Sequence, residues 1–185
     1  ESLLTLLSNL LESSDVEKGR AAPILKALPL EQFLKKSEPL FTEIIKINRN
    51  QFIITKLTDT NEDLTLYIDQ VRATQVLVNL LKNAASYSPV QSKIELTIEN
   101  INNKFIRFSI IDQGLGIAID QYDKIFFPIE RGGYEKSSIS GYGAGLPNSK
   151  NLIETMNGKI DFKSEIGKGS TFWIDLPLIN EEENT

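Results

Sequence analysis

The hydrophobic periodicity of the chain changes near Pro89, and this change constrains the fold more than any other sequence feature. Before it, Gln70–Tyr87 repeats apolar residues at the spacing of one helix face. After it, Lys93–Ile98 and Phe105–Ile111 alternate as half-buried strands do, and Asn102-Asn103 suits a hairpin turn between them. A helix packed on a sheet with an antiparallel pair is therefore the expected centre of the fold.

The same criteria predict further elements on both sides of this centre. With 185 residues, 41% of them hydrophobic, the chain can bury a sizeable core. We expect helices at Glu31–Ile47, Asp120–Phe127 and Pro147–Met156, and strands at Leu28–Leu30, Gln51–Leu57, Leu64–Ile68, Lys159–Ser164 and Thr171–Leu176. This order predicts an α/β domain over residues 23–180. We expect residues 1–22 to form a short leucine-striped helix (Glu1–Ser14) with a linker, and 181–185 to be an unstructured acidic tail.

Composition excludes several classes of function. A net charge of −5 argues against a nucleic-acid interface, and the apolar runs are shorter than a membrane span. The chain has no cysteine, which fits a reducing compartment, and no histidine, so it holds no imidazole base or phosphohistidine of its own. It starts at Glu1, and we expect it to be a piece of a longer protein.

Two asparagines flank the apolar stripe of the Gln70–Tyr87 helix. Asn79 and Asn83 are four residues apart, one helical turn, and lie at the stripe's edge, where a cleft would form. Carboxamide oxygens suit Mg²⁺, which takes few protein ligands beside phosphate oxygens and water. The alternative for this pair is a solvated helix flank.

A carboxylate ends the second strand of the hairpin. Alternation places Asp112 on the same face as Ile110, the face that helices should cover, where a charge needs donors such as the exocyclic amine of adenine. Gly114 and Gly116 follow and would let backbone approach a flat base. The alternative is an ordinary turn after a strand.

Three glycines precede the predicted helix near Leu146. Gly141, Gly143 and Gly145 would expose amides at a helix N-terminus, which binds anions. The spacing matches neither a Walker A loop nor a Rossmann fingerprint, and phosphate remains the best fit. A flexible loop is the alternative, although a mobile lid and a phosphate loop are compatible.

Five stretches in this order resemble the ATP-binding catalytic domain of sensor histidine kinases, in the GHKL superfamily that also holds type II topoisomerases and chaperone ATPases. The resemblance covers roughly Leu28 to Leu178. It implies the Bergerat fold, a two-layer sandwich of a mixed β-sheet and about three helices with an ATP lid. The matching stretches are the N box QVLVNLLKNA (75–84), the first glycine box IDQGLGI (111–117), the phenylalanine box IFFPIER (125–131), the second glycine box GYGAGL (141–146) and GKGSTF (167–172).

The resemblance also implies roles for single residues. Asn83 would hold Mg²⁺, Asn79 would support the phosphate region, and Asp112 would accept from the adenine amine, with Thr171 nearby through water. Arg131 would meet the γ-phosphate. The remaining nucleotide contacts would come from Tyr87, Gly114, Gly116, Ile117, Gly141, Gly143, Ala144, Gly145 and Leu146.

Asn79 separates two branches of the superfamily. Hydrolytic members resemble this helix but carry a glutamate base at that place, and an amide cannot take a proton. We therefore expect delivery of the γ-phosphoryl group to an external nucleophile. The resemblance implies that Glu1–Ser14 is the end of a dimerisation helix and that the nucleophile is a histidine upstream of residue 1, on the dimerisation domain of a homodimeric parent. It also implies onward relay to a response regulator. The expected location is cytoplasmic, in a parent that is either free or membrane-anchored.

Four positions depart from the family pattern and keep other functions open. Ser86 stands in place of a phosphate-reaching lysine, Ile129 in place of a phenylalanine and Ala144 in place of a leucine, while Pro147 lacks an amide hydrogen. A nucleotide sensor without phosphotransfer is the main alternative. A hydrolytic chaperone or topoisomerase ATPase and a pure interaction domain are the others.

Overall fold

The structure is a computed structural model of the chain that describes residues 22–57, 64–127 and 145–179. The predicted leucine-striped helix Glu1–Ser14, nearly all of the predicted loop Pro128–Gly145 and the acidic tail lie outside the described residues. Among the described helices, none combines the length and the apolar character needed to cross a bilayer.

Seven strands and three α-helices make up the described fold. The helices are α1 (Leu30–Ile47), α2 (Gln70–Tyr87) and α3 (Gly145–Glu154). The strands are β1 (Lys26–Pro29), β2 (Gln51–Lys56), β3 (Thr65–Ile68), β4 (Lys93–Ile101), β5 (Phe105–Ile111), β6 (Lys159–Glu165) and β7 (Gly169–Pro177).

Five of the strands form one mixed sheet in the order β2-β4-β5-β7-β6. Strand β2 runs parallel to β4, and every other neighbouring pair is antiparallel. Strands β1 and β3 form a separate antiparallel pair, which the bridge between Leu66 and Leu178 joins to the chain just after β7. The mixed sheet expected from the sequence is therefore confirmed.

The three helices cover one face of this sheet, and the core lies between the two layers. The predicted apolar face of α2 is confirmed, since its residues are at most 4% exposed: Val76, Leu77, Leu80, Leu81 and Ala84. On β5, Ile106, Phe108 and Ile110 point into the same core, and the Phe108 ring meets the ring of Phe33 from α1 edge-on at 5.8 Å. Asp69 caps α2 by accepting from the amides of Val71 and Arg72.

The opposite face of the sheet is polar and carries no helix among the described residues. Arg107 on β5 makes a two-pronged ion pair with Asp175 on β7, with N···O distances of 2.7 and 2.8 Å. The same guanidinium lies over the ring of Trp173 at 5.1 Å. The alternation along β5 and β7 thus separates an apolar helix-facing side from a charged side.

Some predicted boundaries are wrong. The helix expected at Asp120–Phe127 is only a 3₁₀ turn, Ile119–Gln121, followed by turns whose amides bond three residues back, as from Lys124 to Gln121. No side chain caps this segment, and so short a stretch gains little from helix propagation. The third helix starts at Gly145 and ends at Glu154, so Pro147 lies in its first turn as expected. Leu30 begins α1 and does not extend β1.

Candidate functional site

Asn79 joins helix α2 to the start of helix α3. Its Nδ2 donates to the Oγ of Ser149 at 2.9 Å, and Ser149 is only 2% exposed. A Cβ atom on Gly145 would lie 2.6 Å from the Asn79 Oδ1. A side chain at the first residue of α3 would therefore displace the Asn79 carboxamide, which lies directly against the N-terminus of α3.

Asn83 lies one turn further along α2 and is half-buried. No group of the described residues hydrogen-bonds to its side chain, so its carboxamide oxygen is available to a ligand. The described ranges contain no group of three acidic, cysteine or histidine side chains that could hold a metal by themselves. A cation here would take one amide oxygen from the protein and the rest from its ligand, which fits Mg²⁺ bound to a nucleotide.

Asp112 follows β5 and is 6% exposed, on the helix-covered face as predicted. Its Oδ1 accepts from the amide of Gly114 at 2.8 Å and from the amide of Ser170 at 3.2 Å. Burial raises the pKa of the Asp112 carboxyl above its ordinary value, and these two amides counteract part of that rise. No described group donates to Oδ2, so one carboxylate oxygen is fixed by backbone and the other remains for a donor.

Two glycines of the first glycine box allow close backbone approach. A Cβ on Gly114 would lie 2.8 Å from both the Asp112 Oδ1 and the carbonyl oxygen of Tyr87, so the turn closes against the end of α2. Gly116 has a φ of +71°, and a Cβ there would lie 2.1 Å from the Glu165 carbonyl oxygen. The glycine box is thereby held between α2 and the turn that joins β6 to β7.

The start of β7 supplies two residues to the site that the sequence reasoning missed. Gly169, at a φ of +100°, packs against Asp112 so closely that a Cβ would lie 2.1 Å from the Asp112 carbonyl oxygen. Ser170 is 8% exposed, and its carbonyl accepts from the Asp112 amide at 2.9 Å. Counting alternate residues back from the apolar Phe172 would have identified Ser170.

The same register corrects the prediction for Thr171. Thr171 pairs with Ile111, whereas Asp112 is opposite Ser170, so the Thr171 side chain lies on the polar face of the sheet. Ser170 therefore occupies the place beside Asp112 that was expected for Thr171. A shift of one residue along β7 moves the side chain to the other face of the sheet, because successive side chains of a strand point to opposite faces.

The other predicted residues fall into three groups. Tyr87 and Ile117 border the Asp112 region: Tyr87 through its carbonyl, and Ile117 through an amide that donates to the Oγ of Ser164 at 2.8 Å. Leu146 packs half-buried against the core at the start of α3, and Ser86 is exposed on α2. Outside the described residues lie Ile129, Arg131, Gly141, Gly143 and Ala144.

Comparison with known protein families shows which family contains this chain. Residues 68–180 match the model of the histidine kinase-, DNA gyrase B- and HSP90-like ATPase family, which is more than half of the chain. The chain belongs to this family. Its members bind ATP, and the matched range contains the amide-bearing helix α2, the buried Asp112 and helix α3.

Similar proteins and solved structures show which members of the family this chain resembles, namely the kinases of sensory systems. The chain is 40% identical over 123 residues to the adaptive-response sensory kinase SasA of Synechococcus elongatus, covering 66% of this chain and 32% of SasA. It is 28% identical to the autoinducer 2 sensor kinase/phosphatase LuxQ of Vibrio parahaemolyticus, over 98% of this chain and 22% of LuxQ. The chain thus spans a third or less of these relatives' length.

Solved structures agree with this assignment. The catalytic domain of histidine kinase ThkA superposes with a TM-score of 0.67 at 28% identity, covering 83% of this chain and 95% of that domain. Full-length ShkA in complex with AMPPNP superposes with a TM-score of 0.71 at 24% identity, over 95% of this chain and 36% of that one, and supports the fold alone. This chain is an ATP-binding domain of the histidine kinase type.

Proposed function

We propose that this domain binds ATP with Mg²⁺ and transfers the γ-phosphoryl group to a histidine outside the chain. The observation that carries the proposal is the place of Asn79, whose carboxamide lies against the start of α3 and is fixed there by Ser149. A carboxylate at this point could take a proton from water, and an amide cannot. Hydrolysis therefore lacks a base among the described residues of the site, while an imidazole attacks with its own lone pair.

The base of the nucleotide binds at Asp112. The Asp112 Oδ1 is held by the amides of Gly114 and Ser170, which leaves Oδ2 for a donor, and adenine presents its 6-amino group as such a donor. The flat ring then lies along the backbone of Gly114 and Gly116, which carry no side chain to displace it.

The phosphates extend from the base toward the meeting point of α2 and α3. The N-terminus of α3 presents free amides and a partial positive charge, which favour an anion. Asn83 would hold Mg²⁺, and the ion supplies neutralisation of phosphate charge in the loose transition state. We propose that Gly143, Gly145 and Leu146 give amides to the phosphates, that Gly141 and Ala144 also contact the nucleotide, and that Arg131 meets the γ-phosphate.

The partners follow from the missing nucleophile. The chain has no histidine, so the acceptor lies elsewhere, and we propose a dimerisation domain of the same homodimeric parent. From there the phosphoryl group passes to the aspartate of a response regulator. Because ATP is the donor, the domain works in the cytoplasm, whether or not the parent is anchored in a membrane.

A second candidate is a nucleotide sensor that does not transfer phosphate. Pro147 in the first turn of α3 removes one amide donor, and the exposed Ser86 brings no cation to the phosphates. Both changes remove contacts to the phosphates and leave the base site at Asp112 as it is. A parent protein that binds ATP but never forms phosphohistidine would favour the sensor over the kinase.

Calorimetric titration with the non-hydrolysable analogue AMPPNP tests the assigned site. The wild-type chain binds more tightly with Mg²⁺ than without it, and Asn83→Ala removes most of that difference. The matched control is Asn151→Ala, an exposed asparagine of α3, which keeps the Mg²⁺ effect. Absence of binding by the wild-type chain contradicts the proposal, and an unchanged Mg²⁺ effect in Asn83→Ala removes the metal role.

A further inference from the structure

The hydroxyl of Ser164, on β6, lies within hydrogen-bonding distance of three groups. Its Oγ is 2.8 Å from the amide nitrogen of Ile117, 3.1 Å from the carbonyl oxygen of Gly169 and 2.9 Å from the Oγ of Ser170. These contacts join the first glycine box to the residue beside Asp112. None of the roles described so far uses Ser164.

Three hydrogens are available for these three contacts, one from the Ile117 amide and one from each serine hydroxyl. Only one arrangement of them makes every contact a hydrogen bond. The Ile117 amide can only donate, and the Gly169 carbonyl can only accept. The single hydrogen of the Ser164 hydroxyl therefore goes to Gly169, and its two lone pairs accept from Ile117 and from the Ser170 hydroxyl. Ser170 must then donate to Ser164, because each hydroxyl has only one hydrogen to give.

This assignment fixes what Ser170 offers to a ligand. Its only hydroxyl hydrogen points at Ser164, so just lone pairs remain for the base site. Ser170 lies opposite Asp112 in the strand register, on the same face of the sheet, and Asp112 Oδ2 is also an acceptor. The base edge of the site consequently presents acceptors at both residues.

We propose that Ser164 is a positioning residue for purine selection, which holds the Ser170 hydroxyl so that the site accepts a 6-amino purine and rejects a 6-oxo purine. The inference rests on the proposed nucleotide binding. A 6-amino group has hydrogens for both acceptors, whereas a 6-oxo group places its own lone pairs against them and leaves them without hydrogens. Without Ser164, the Ser170 hydroxyl can rotate and donate to the 6-oxo group.

Titration of the whole chain with ADP and IDP, which differ only at positions 1 and 6 of the purine, tests this. We expect the wild-type chain to bind ADP at least about tenfold more tightly than IDP. In Ser164→Ala, IDP binding tightens by about threefold to tenfold, while the ADP dissociation constant changes by less than about twofold. Ser164→Thr keeps the hydroxyl and restores the wild-type ratio.

A purely structural role of Ser164 would weaken both nucleotides together, and that result overturns the inference, as does an unchanged ratio in Ser164→Ala. Ser109→Ala is the matched control, since it deletes a hydroxyl on the polar face of β5. If Ser164→Ala does not fold, Ser170→Ala decides: it removes one acceptor and must weaken ADP binding without weakening IDP binding. A wild-type chain that binds neither nucleotide contradicts the proposed function itself, whereas wild-type selectivity that Ser164→Ala retains contradicts only this inference.

Discussion

Replacing Asp112 by asparagine should weaken nucleotide binding without lowering the stability of the fold. Asparagine keeps an acceptor oxygen for the amides of Gly114 and Ser170, so the local turn survives. The second oxygen becomes an NH₂ group, which faces the adenine amine with a donor. Loss of a charge-assisted hydrogen bond costs about 1.5–3 kcal/mol, which raises the dissociation constant for ADP roughly tenfold to hundredfold.

The effect on stability has the opposite sign. Burial raises the pKa of Asp112, and the stability that a raised pKa contributes is fully present below the carboxyl's unfolded pKa. That stabilisation is lost as the pH rises through the folded pKa, because the fold must then hold a charged carboxylate in a desolvated place. Asp112→Asn should thus unfold at an equal or higher temperature than wild type at pH 7, with the difference shrinking as the pH falls toward 4.

Calorimetry with ADP and thermal unfolding between pH 4 and pH 8 measure the two effects. Asp161→Asn is the matched control, because Asp161 is exposed on β6, paired with Trp173 on the polar face, and should leave ADP binding unchanged. The reasoning is refuted if Asp112→Asn binds ADP as wild type does. It is also refuted if the variant is clearly less stable at pH 7, since the carboxylate would then be a net stabilising group.

Three further predictions concern the glycines and the strand register. Gly116→Ala should lower the free energy of unfolding by about 2–4 kcal/mol in denaturant titration, because a positive φ and a close backbone contact both oppose a Cβ. Gly167→Ala, at a φ of +77° but with open space around the Cβ, should lower it by only about 1 kcal/mol. Equal losses in the two variants would contradict this. Ser170→Ala should weaken ADP binding about threefold to tenfold and Thr171→Val should not, and the reverse order would show that the register argument fails. Gly145→Ala should weaken AMPPNP binding by displacing the α2 carboxamide, with stability changed by less than about 1 kcal/mol because alanine favours the helix; wild-type affinity would contradict it.

Long periodic segments made the core of the fold predictable. The bounds of α2 and β5 match the sequence prediction, because burial on one face imposes its period on every residue of the element. The position of Asp112 followed from the same alternation. The 3₁₀ turn at Ile119–Gln121 did not, since a segment of this length is decided by local hydrogen bonding that periodicity does not register.

The site residues were predictable where a motif fixed both the residue and the face of its helix or strand. They were not predictable where a contact joins residues that are far apart in the sequence. Nothing in the spacing of Asn79 shows that Ser149, seventy residues away, fixes its amide. Likewise the three contacts of Ser164 depend on how the β6–β7 hairpin meets the first glycine box. The shift from Thr171 to Ser170 was within reach, because Phe172 marks the core face of β7.

The fate of the γ-phosphate tests the central claim most directly. The chain is incubated with γ-labelled ATP and Mg²⁺, alone and with the histidine-bearing dimerisation domain of its parent, and both labelled protein and released phosphate are followed. We predict label on that domain in an acid-labile, base-stable form, no label on the chain itself, and negligible phosphate release when it is alone. Steady phosphate release by the isolated chain, or bound ATP that never labels the acceptor, would contradict the account.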